Sequence, residues 1–507
     1  MAVAEIIHSA VLSFSSRYCL ILALVVFLLP IFYYACFFIY NLYFHPLSKY
    51  PGPRLAAATS WWIAFSYARG TGPADYLKLH NQYGPVVRTS PNELSFINQP
   101  QWKEIYGHRP SGAPEFTKDK KYHSGMKVDN ILNSDRQHHI HLRKSLAHGF
   151  SDKALREQEP VLQQYVSLLI QKLHENSQDG TIPVDLVSRY NFLTFDFIGF
   201  LTYGESFDCL NGSQMHTWVG LFFAVLKIIA LNQAISRLPR LLQAPAKLSV
   251  IPRSVKSDNE TMSQLNTAKT KHRLETKSTI PDFMDKLIDT YESGKISFEQ
   301  LTSNASILIG AGSETTATLL SGLTFLLFQH PIVLEKLTME IRGNFQSRDD
   351  ITITGVNNCK YLLACIEEAL RVYPPSPQPH HRVIPLGGAM VNGEFLPEGA
   401  IVSIPIYASS NSPVNWFEPE KFIPERWMGE DAKFEGDKRE TSQPFSYGPR
   451  NCIGRNLAYV EMKIVMATIL WHFDMENATE GDWLDQKVYL VWEKSPLWVK
   501  LHPVRRS

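Results

Sequence analysis

The sequence predicts a mainly α-helical fold with small β-sheets, preceded by one N-terminal transmembrane helix. Helical periodicity extends over most of residues 57–507, whereas β-rich patterns occur at residues 85–97 and at residues 389–405, where Asn392-Gly393 is typical of a tight hairpin turn. An apolar run near the N-terminus is long enough to cross a bilayer. No linker rich in glycine or serine divides residues 57–507, so we expect them to form one large domain.

The apolar run, residues 18–40, has no formal charge and is interrupted only by Pro30. As a helix it would be about 34 Å long, which is enough to span the hydrocarbon core of a bilayer. Aromatic residues crowd its C-terminal end, as is typical of the headgroup region. The alternative is a cleaved signal peptide, whose apolar core is normally about 7–15 residues long and ends in small residues. We therefore expect residues 1–17 to be a lumenal tail and residues 18–40 to be a transmembrane anchor.

A proline-rich hinge, residues 41–56, is expected between this anchor and the large domain of residues 57–507. Its prolines remove backbone donors and stiffen the chain. Lys49 and Arg54 follow the span, and this positive charge favours a cytosolic location for the large domain. In that orientation none of the four Asn-x-Ser/Thr triplets would be glycosylated; they begin at Asn211, Asn259, Asn304 and Asn477.

Charge and cysteine content exclude several classes of protein. The chain has 50 basic and 49 acidic residues, which gives no electrostatic reason to expect nucleic-acid binding. Its six cysteines show neither zinc-type spacing nor a disulfide framework, and a reducing compartment fits them best.

The segment 445–454 reads F-x-x-G-x-R-x-C-x-G and contains Cys452. A cysteine thiolate can be the axial ligand of haem iron. Gly448 and Gly454 would let the backbone turn tightly and approach a macrocycle, and Arg450 could pair with a haem propionate. An apolar helical pattern begins after Gly454, so backbone N–H groups at its N-terminus would stabilise the thiolate. The alternative is a buried structural cysteine in a Gly/Arg loop.

The longest helical pattern begins at Ser297, which forms a capping-box pattern with Gln300, and continues to Pro331. Near its middle, residues 311–316 read A-G-S-E-T-T beside glycines that would weaken or kink a helix. An acid followed by a hydroxyl can relay the protons that reduction of oxygen requires. The alternative is a core helix that is kinked by glycine.

Glu368 and Arg371 are three residues apart in a helical pattern and therefore share one face. Most isolated pairs of this kind are solvated and contribute little stability. Here they precede the segment 424–427, Pro-Glu-Arg-Trp, which contains Arg426.

Together these four segments resemble the cytochrome P-450 superfamily: its cysteine loop, its distal-helix A-G-x-E-T motif, its E-x-x-R pair and its P-E-R-F motif, with Trp427 in place of the usual Phe. The resemblance covers essentially residues 41–500 and implies the cytochrome P-450 fold. It implies that Cys452 is the axial iron ligand of haem b, and that Glu314 and Thr315 manage proton delivery. It also implies a structural charge network of Glu368, Arg371 and Arg426 that fixes the cysteine loop.

The same resemblance implies a wider set of haem-binding residues: His139, Arg143, Ala311, Arg382, Phe445, Arg450, Cys452 and Gly454. Ala311 would leave room for oxygen and substrate, while Arg143 and Arg382 would join Arg450 on the propionates. His139 stands where the family often has tryptophan. His138, His139 and His141 lack the one-face spacing of a zinc site.

The implied activity is that of a haem-thiolate monooxygenase that inserts one oxygen atom from O₂ into a lipophilic small molecule. By the same resemblance, apolar residues in 215–246, with residues 107–130, would roof the substrate pocket. The alternative for residues 215–246 is core packing or a membrane-dipping helix pair. Segments 114–118 and 201–207 resemble fungal members that tailor secondary metabolites, of the mycotoxin-like terpenoid or polyketide kind.

No flavin or nicotinamide domain is recognised, so NADPH electrons are expected through a separate reductase, with cytochrome b5 as a further candidate partner. The expected location is the endoplasmic reticulum membrane, with a single pass and a cytosolic catalytic domain. Two alternatives stay open: a haem-thiolate isomerase or dehydratase of the same fold, and a non-catalytic membrane-anchored haem-binding protein.

Overall fold

The computed structural model describes residues 2–110, 112–121, 126, 128–252, 254–276, 280 and 282–505. Its α-helices are, in chain order, α1 (Ala2–Ile39), α2 (Arg54–Ala58), α3 (Trp61–Arg69), α4 (Gly72–Tyr83), α5 (Gln99–Gln101), α6 (Arg136–Ala147), α7 (Asp152–Ser177), α8 (Leu186–Tyr203), α9 (Cys209–Gly212), α10 (Thr217–Ser236), α11 (Arg240–Val250), α12 (Val255–Glu275), α13 (Asp285–Glu292), α14 (Phe298–Gln329), α15 (Pro331–Asn344), α16 (Ile353–Val356), α17 (Lys360–Val372), α18 (Ile406–Asn411) and α19 (Arg455–His472). The predicted mainly α-helical fold with small β-sheets is confirmed.

The β-strands are β1 (Val86–Ser90), β2 (Glu93–Phe96), β3 (Thr117–Lys118), β4 (Val184–Asp185), β5 (Arg382–Val383), β6 (Ala389–Val391), β7 (Glu394–Leu396), β8 (Ile401–Ser403), β9 (Phe473–Asn477), β10 (Val488–Tyr489), β11 (Val491–Trp492) and β12 (Trp498–Pro503). The largest described sheet has the order β1-β2-β8-β5-β3, and a second has the order β4-β12-β9. Strands β2 and β8 are parallel, whereas the other pairs are antiparallel.

Both predicted β regions form hairpins. Strands β1 and β2 pair across residues 91–92, and β6 pairs with β7 through the register Met390↔Phe395. Asn392 and Gly393 both have positive φ, 55° and 73°, as a tight two-residue turn requires. The turn chemistry therefore predicted the β6–β7 hairpin correctly.

The long helix α14 begins after the predicted capping box, in which Ser297 and Gln300 exchange hydrogen bonds. It continues through the glycines at its middle as one helix, as its long run without proline predicts. Gly310 permits close packing: a Cβ on it would lie 2.2 Å from the ring of Phe222 on α10. The central helix and the aromatic helix above it can cross closely only because Gly310 has no side chain.

Helix α1 runs from Ala2 and continues through a π-helical turn at Tyr40–Phe44. Residues Ile21–Phe44 form a candidate membrane span, and their side chains are mostly exposed. Most of the predicted lumenal tail, residues 1–17, falls within this helix. Residue 1 of that tail and residues 506–507 of the predicted catalytic domain lie outside the described residues.

Helix α10 is also long and apolar enough to span a membrane by composition, and so is the bent pair α14–α15, whose axes meet at 116°. These elements contribute buried residues to the main hydrophobic core of the catalytic domain, together with α7, α8, α17 and α19. That core brings α14 and α19 side by side, and α19 begins immediately after the cysteine loop.

Candidate active site

The cysteine loop is held in a shape that depends on one glycine. Gly448 has φ +76°, and a Cβ on it would lie 2.0 Å from the backbone oxygen of Tyr106. The loop closes through the Cys452 N–H, which donates to the Phe445 carbonyl at 2.9 Å. Phe445 packs against Tyr459 with ring centroids 5.3 Å apart. Both the backbone conformation and the close approach at Gly448 exclude a larger residue.

The thiol of Cys452 lies at the N-terminus of α19, as predicted from the helical pattern. Burial among protein atoms raises its pKa, and the Gly454 N–H, Arg143 and Arg455 oppose that rise. Cys452 nevertheless keeps exposed surface. Cys452 is therefore surrounded by protein atoms but has an open space beside it, as expected for a residue that lines a cavity. The groups around it favour the thiolate.

Ala311, on the central helix α14, is also accessible although it lies among buried residues. It is exposed, whereas Gly310 and Ser313 beside it are buried. Thr315 lies one turn further on, and its Oγ1 donates to the Ala311 carbonyl at 2.7 Å. Ala311 and Thr315 therefore share a helix face that is not packed into the core.

Basic side chains gather beside the cysteine loop. Arg143 donates to the carbonyl of Asn451 at 2.7 Å and to its Oδ1 at 2.6 Å. Arg450 pairs with Glu115 at 2.6 Å and donates to the Ser134 carbonyl at 3.0 Å. The Arg143 contacts place its guanidinium group beside Asn451, the residue that precedes Cys452.

A buried lysine, an arginine and a histidine complete this group. Burial, followed by the nearby Arg382 and Arg450, holds the pKa of Lys118 well below its ordinary value. Arg382 lies over the Tyr106 ring at 4.9 Å and donates to the His381 carbonyl at 3.2 Å. Burial, followed by Arg450 and Lys118, lowers the pKa of His139 to about 3, so this imidazole is neutral.

This donor set fits haem. Among the described residues, Glu115 is the carboxylate that pairs with the cations beside the cysteine loop, so positive charge is in excess there. The two propionates of haem would balance that excess, since buried charge requires partners. A thiol that faces helix N–H groups suits the iron.

Glu314 faces away from the Ala311–Thr315 surface. It is buried and forms an ion pair with Lys494, which lies in the segment after β11. Thr318 donates to Glu314 Oε1 at 3.1 Å and accepts from Lys494 at 2.8 Å. Burial raises the pKa of Glu314, and Lys494 opposes that rise. Sequence reasoning missed Lys494 because nothing in a lone C-terminal lysine indicates a partner 180 residues away.

The structure brings Glu368, Arg371 and Arg426 together in a fully buried network. Glu368 binds Arg371 at 2.8 Å and Arg426 at 3.0 Å. Arg426 also pairs with Asp437, which sequence reasoning missed. Arg371 donates to the carbonyls of Ser410, Pro419 and Lys421. The network therefore fastens the irregular segment that leads into the cysteine loop.

A buried acid behind the central helix was also missed. Glu461 lies on α19, and neither of its carboxylate oxygens has a hydrogen-bond partner among the described residues. Burial raises its pKa to about 8, with the Thr316 hydroxyl opposing the rise. The sequence shows Glu461 within an apolar helical pattern, but such an acid can equally face solvent, so the pattern alone did not predict its burial.

Aromatic rings cover the side of α14 that carries the glycines. Trp218 and Phe222 on α10 stack with centroids 5.4 Å apart, and Phe195 on α8 meets both rings. The other predicted part of the roof, residues 107–130, is described except for residues 111, 122–125 and 127, which lie outside the described residues.

The fold and the site together are those of a haem-thiolate protein: a mainly helical domain with the Cys452 thiol at the N-terminus of α19 and an excess of buried cations beside it. The sequence profile of cytochrome P-450 matches residues 51–501, and the chain belongs to this family. The family resemblance inferred from the four motifs is confirmed.

Three relatives are fungal enzymes of similar length. The chain is 44% identical over 480 residues to the cytochrome P-450 monooxygenase hepD of Aspergillus oryzae, covering 93% of this chain and 94% of the relative. It is 43% identical to a trichothecene C-15 hydroxylase of Fusarium sporotrichioides, covering 92% and 95%. It is 41% identical to an averantin hydroxylase of Dothistroma septosporum, covering 92% and 88%.

These relationships make the protein an oxidoreductase of the monooxygenase class, related to enzymes of fungal secondary metabolism. Such enzymes contain haem-thiolate, receive electrons from a reductase and act on small molecules. The N-terminal apolar helix could anchor this one to a membrane. The predicted enzyme class is confirmed.

Proposed function

We propose that this protein hydroxylates or epoxidises a lipophilic intermediate of a fungal secondary-metabolite pathway, of the terpenoid or polyketide type, with NADPH electrons delivered by a separate reductase. The observation that carries the proposal is the placement of the Cys452 thiol at a helix N-terminus with buried cations beside it. The relatives named for a trichothecene and for averantin support the pathway class.

In this proposal haem b, when bound, supplies the iron that activates oxygen. Cys452 would hold the iron, and the Gly454 N–H would favour the thiolate form of its sulfur. Arg382 and Arg450 would hold the propionates, and neutral His139 would offer a hydrogen bond beside them. Arg143 holds Asn451 and adds positive charge near the thiolate. Phe445 fills the proximal side of the loop.

On the opposite side, the small side chain of Ala311 leaves room for the substrate. Thr315 supplies a hydroxyl on the same helix face, where it can pass a proton onward. Glu314 acts as the acid behind Thr315, and its access to protons is controlled by the ion pair with Lys494. The buried network of Glu368, Arg371 and Arg426 keeps the cysteine loop in place.

The first test is the carbon-monoxide difference spectrum of the reduced, purified protein beside Cys452→Ser. A strongly red-shifted Soret band in the wild type that is absent in the variant supports thiolate ligation. Haem with an unshifted band in folded wild type contradicts it.

A second test separates the alternatives of the same fold. A monooxygenase requires NADPH, the reductase and O₂ for every product molecule. An isomerase or dehydratase forms product without NADPH, and a carrier binds haem without substrate-dependent NADPH use.

We also propose a single-pass anchor in the endoplasmic reticulum membrane with a cytosolic catalytic domain, where cytochrome b5 can be a further electron donor. The apolar, exposed span Ile21–Phe44 supports this, and α11 adds exposed leucines, Leu241 and Leu248. Asn304 is buried and accepts the Ile131 N–H at 3.0 Å, so its triplet cannot be modified in the folded protein. A glycosidase-sensitive mobility shift at the exposed triplets would contradict the orientation; they begin at Asn211, Asn259 and Asn477.

A further inference from the structure

A cluster of aromatic and charged side chains lies behind the cysteine loop and is distinct from the proton-handling and propionate-binding groups. Tyr459 on α19 packs against Phe445 with ring centroids 5.3 Å apart, and its hydroxyl donates to Glu367 Oε1 on α17 at 2.7 Å. The carbonyl of Phe445 accepts the Cys452 N–H at 2.9 Å. The aromatic residue that closes the cysteine loop is therefore backed by a phenol whose hydroxyl is fixed by a carboxylate.

Arg455, the first residue of α19, closes this cluster on its solvent side. Its guanidinium carbon lies 5.8 Å from the ring centroid of Phe445 and 5.8 Å from that of Tyr459. Both distances are within the range of cation–π contacts, about 6 Å, so the two rings hold the guanidinium beside the loop. The side chain follows Cys452 by three positions and keeps exposed surface.

The helix alone does not favour a cation at this position. Positive charge in the first turn opposes the helix dipole, and the first turn of α19 has no acidic residue that would compensate for Arg455. A thiolate at Cys452 supplies the missing negative charge. Burial raises the pKa of Cys452, and Arg455 is among the groups that oppose this rise, after the Gly454 N–H and Arg143.

Tyr459 contacts Arg455 through more than its ring. Burial and then Glu367 raise the pKa of Tyr459, whereas Arg455 opposes the rise, which places the hydroxyl between the carboxylate and the guanidinium. Burial also raises the pKa of Glu367, and Tyr459, followed by Arg455, opposes that rise. The three side chains form one electrostatic unit in which Glu367 orients Tyr459 and Tyr459 orients Arg455.

A cation beside the cysteine loop affects how readily a bound haem iron accepts an electron. Reduction adds one negative charge to the iron and its thiolate, so a nearby positive charge stabilises the reduced state more than the oxidised state. Because Arg455 is in contact with solvent, salt screens part of this effect.

We propose that Arg455 raises the reduction potential of the haem iron, and that Tyr459 and Glu367 are positioning residues that keep its guanidinium beside the cysteine loop. The step concerned is the one-electron reduction of ferric to ferrous iron, with the electron supplied by the reductase. This inference rests on the proposed haem-thiolate function and adds a determinant of its electron uptake.

The test is a dye-mediated spectroelectrochemical titration of the full-length, haem-loaded protein without reductase, so that docking of the partner does not contribute. Arg455→Gln removes the charge and should lower the equilibrium constant for reduction about threefold, which is about 28 mV at 59 mV per tenfold for one electron. Arg455→Lys keeps the charge and should retain most of the wild-type potential.

Lys463→Gln is the matched control. It removes one positive charge from the same helix, and Lys463 also acts on Glu367 and donates to Asn357 Oδ1 at 3.0 Å. Lys463 lies eight positions after Arg455, about 12 Å farther along the helix axis, so its loss should change the potential much less. An equal fall in Arg455→Gln and Lys463→Gln would overturn the proposal, because net charge rather than position would then decide the potential.

Tyr459→Phe tests the positioning role, since it keeps the ring and removes the hydroxyl. It should lower the potential in the same direction as Arg455→Gln but by less, and adding it to Arg455→Gln should cause no further fall. A further fall in the double variant would overturn the action of Tyr459 through Arg455. If Arg455→Gln loads no haem, a wild-type potential in Tyr459→Phe overturns the proposal.

The carbon-monoxide difference spectrum, recorded on each protein first, separates this inference from the proposed function. A red-shifted Soret band in every protein together with equal potentials in wild type and Arg455→Gln would overturn the role of Arg455 and leave the haem-thiolate function standing. A wild type without the red-shifted band would overturn both.

Discussion

The ammonium group of Lys494 forms a buried ion pair with the carboxylate of Glu314, and so joins the segment after β11 to the middle of α14. The preceding residue, Glu493, pairs with Lys227 on α10 at 2.7 Å. Two consecutive residues of one segment therefore hold the central helix and the aromatic roof helix together.

Lys494→Met should impair both stability and proton handling. Breaking a buried ion pair by removing one partner costs about 3–5 kcal/mol. Because Lys494 opposes the rise that burial causes in the pKa of Glu314, its loss should raise that pKa further. The pH profile of reductase-supported NADPH oxidation should therefore move to higher pH. Lys494→Arg keeps the charge and should retain most of the wild-type profile; equal shifts in both variants would contradict the electrostatic role.

Gly448→Ala should abolish the thiolate signature. The left-handed conformation costs alanine about 1–2 kcal/mol, and the clash with the Tyr106 carbonyl adds to it. The expected result is protein with little haem, measured by the absorbance ratio of the Soret band to protein. Gly343→Ala is the control, because its Cβ would meet no atom within 4 Å and it lies inside α15, where alanine is favoured. Normal haem loading in Gly448→Ala would show that the loop can rearrange.

Arg371→Ala should give no haem-loaded protein. The variant leaves Glu368 buried beside Arg426 alone and removes three donors to backbone carbonyls, so a loss of at least about 3–5 kcal/mol is expected. Haem content after purification and the urea midpoint are the measurements. Lys286→Ala, which breaks an exposed ion pair with Asp289, should cost about 1 kcal/mol or less. Wild-type haem content in Arg371→Ala would refute a structural role for the network.

Glu461→Gln should stabilise the protein increasingly as the pH rises. The pKa of Glu461 is raised from 4.5 to about 8 in the folded state, so the folded protein keeps a proton that the unfolded chain releases between those values. Wild-type stability therefore falls through that range and stays low above it. Glutamine is neutral throughout, so its advantage should grow from near zero at acid pH to a few kcal/mol at alkaline pH.

Melting temperatures of both proteins across this pH range check the prediction. The exposed Glu480→Gln is the control and should give no such trend. An advantage for Glu461→Gln that does not change with pH would indicate better packing rather than a buried titration.

The sequence predicted those parts of the fold and site that depend on local pattern. The capping box at Ser297, the Asn392-Gly393 turn and the helix after Gly454 follow from short-range chemistry, and each is present. The pairing of Lys494 with Glu314 could not be predicted, because any of the 50 basic residues could in principle have been the partner.

Local sequence patterns also could not predict the burial of Glu461 or the hydrogen bond from Arg88 to Asn41. Each depends on how distant segments pack, and the same residue types lie on solvated faces elsewhere in this chain. The length of α14 was predicted from its run without proline, whereas the packing of Gly310 against Phe222 joins two distant segments and could not be predicted.

Trp427 gives the departure from the family's P-E-R-F motif a chemical meaning. Its indole Nε1 donates to Glu368 at 2.8 Å, beside two bonds from Arg371, one from Arg426 and one from the Ile423 N–H. Burial alone would raise the pKa of Glu368, yet Arg371 and then Arg426 hold it below its ordinary value. A carboxylate has about four lone-pair sites, so this one is saturated and leaves no vacancy for water. Phenylalanine at position 427 would remove one of the hydrogen bonds that the Glu368 carboxylate accepts, so phenylalanine and tryptophan are not equivalent there.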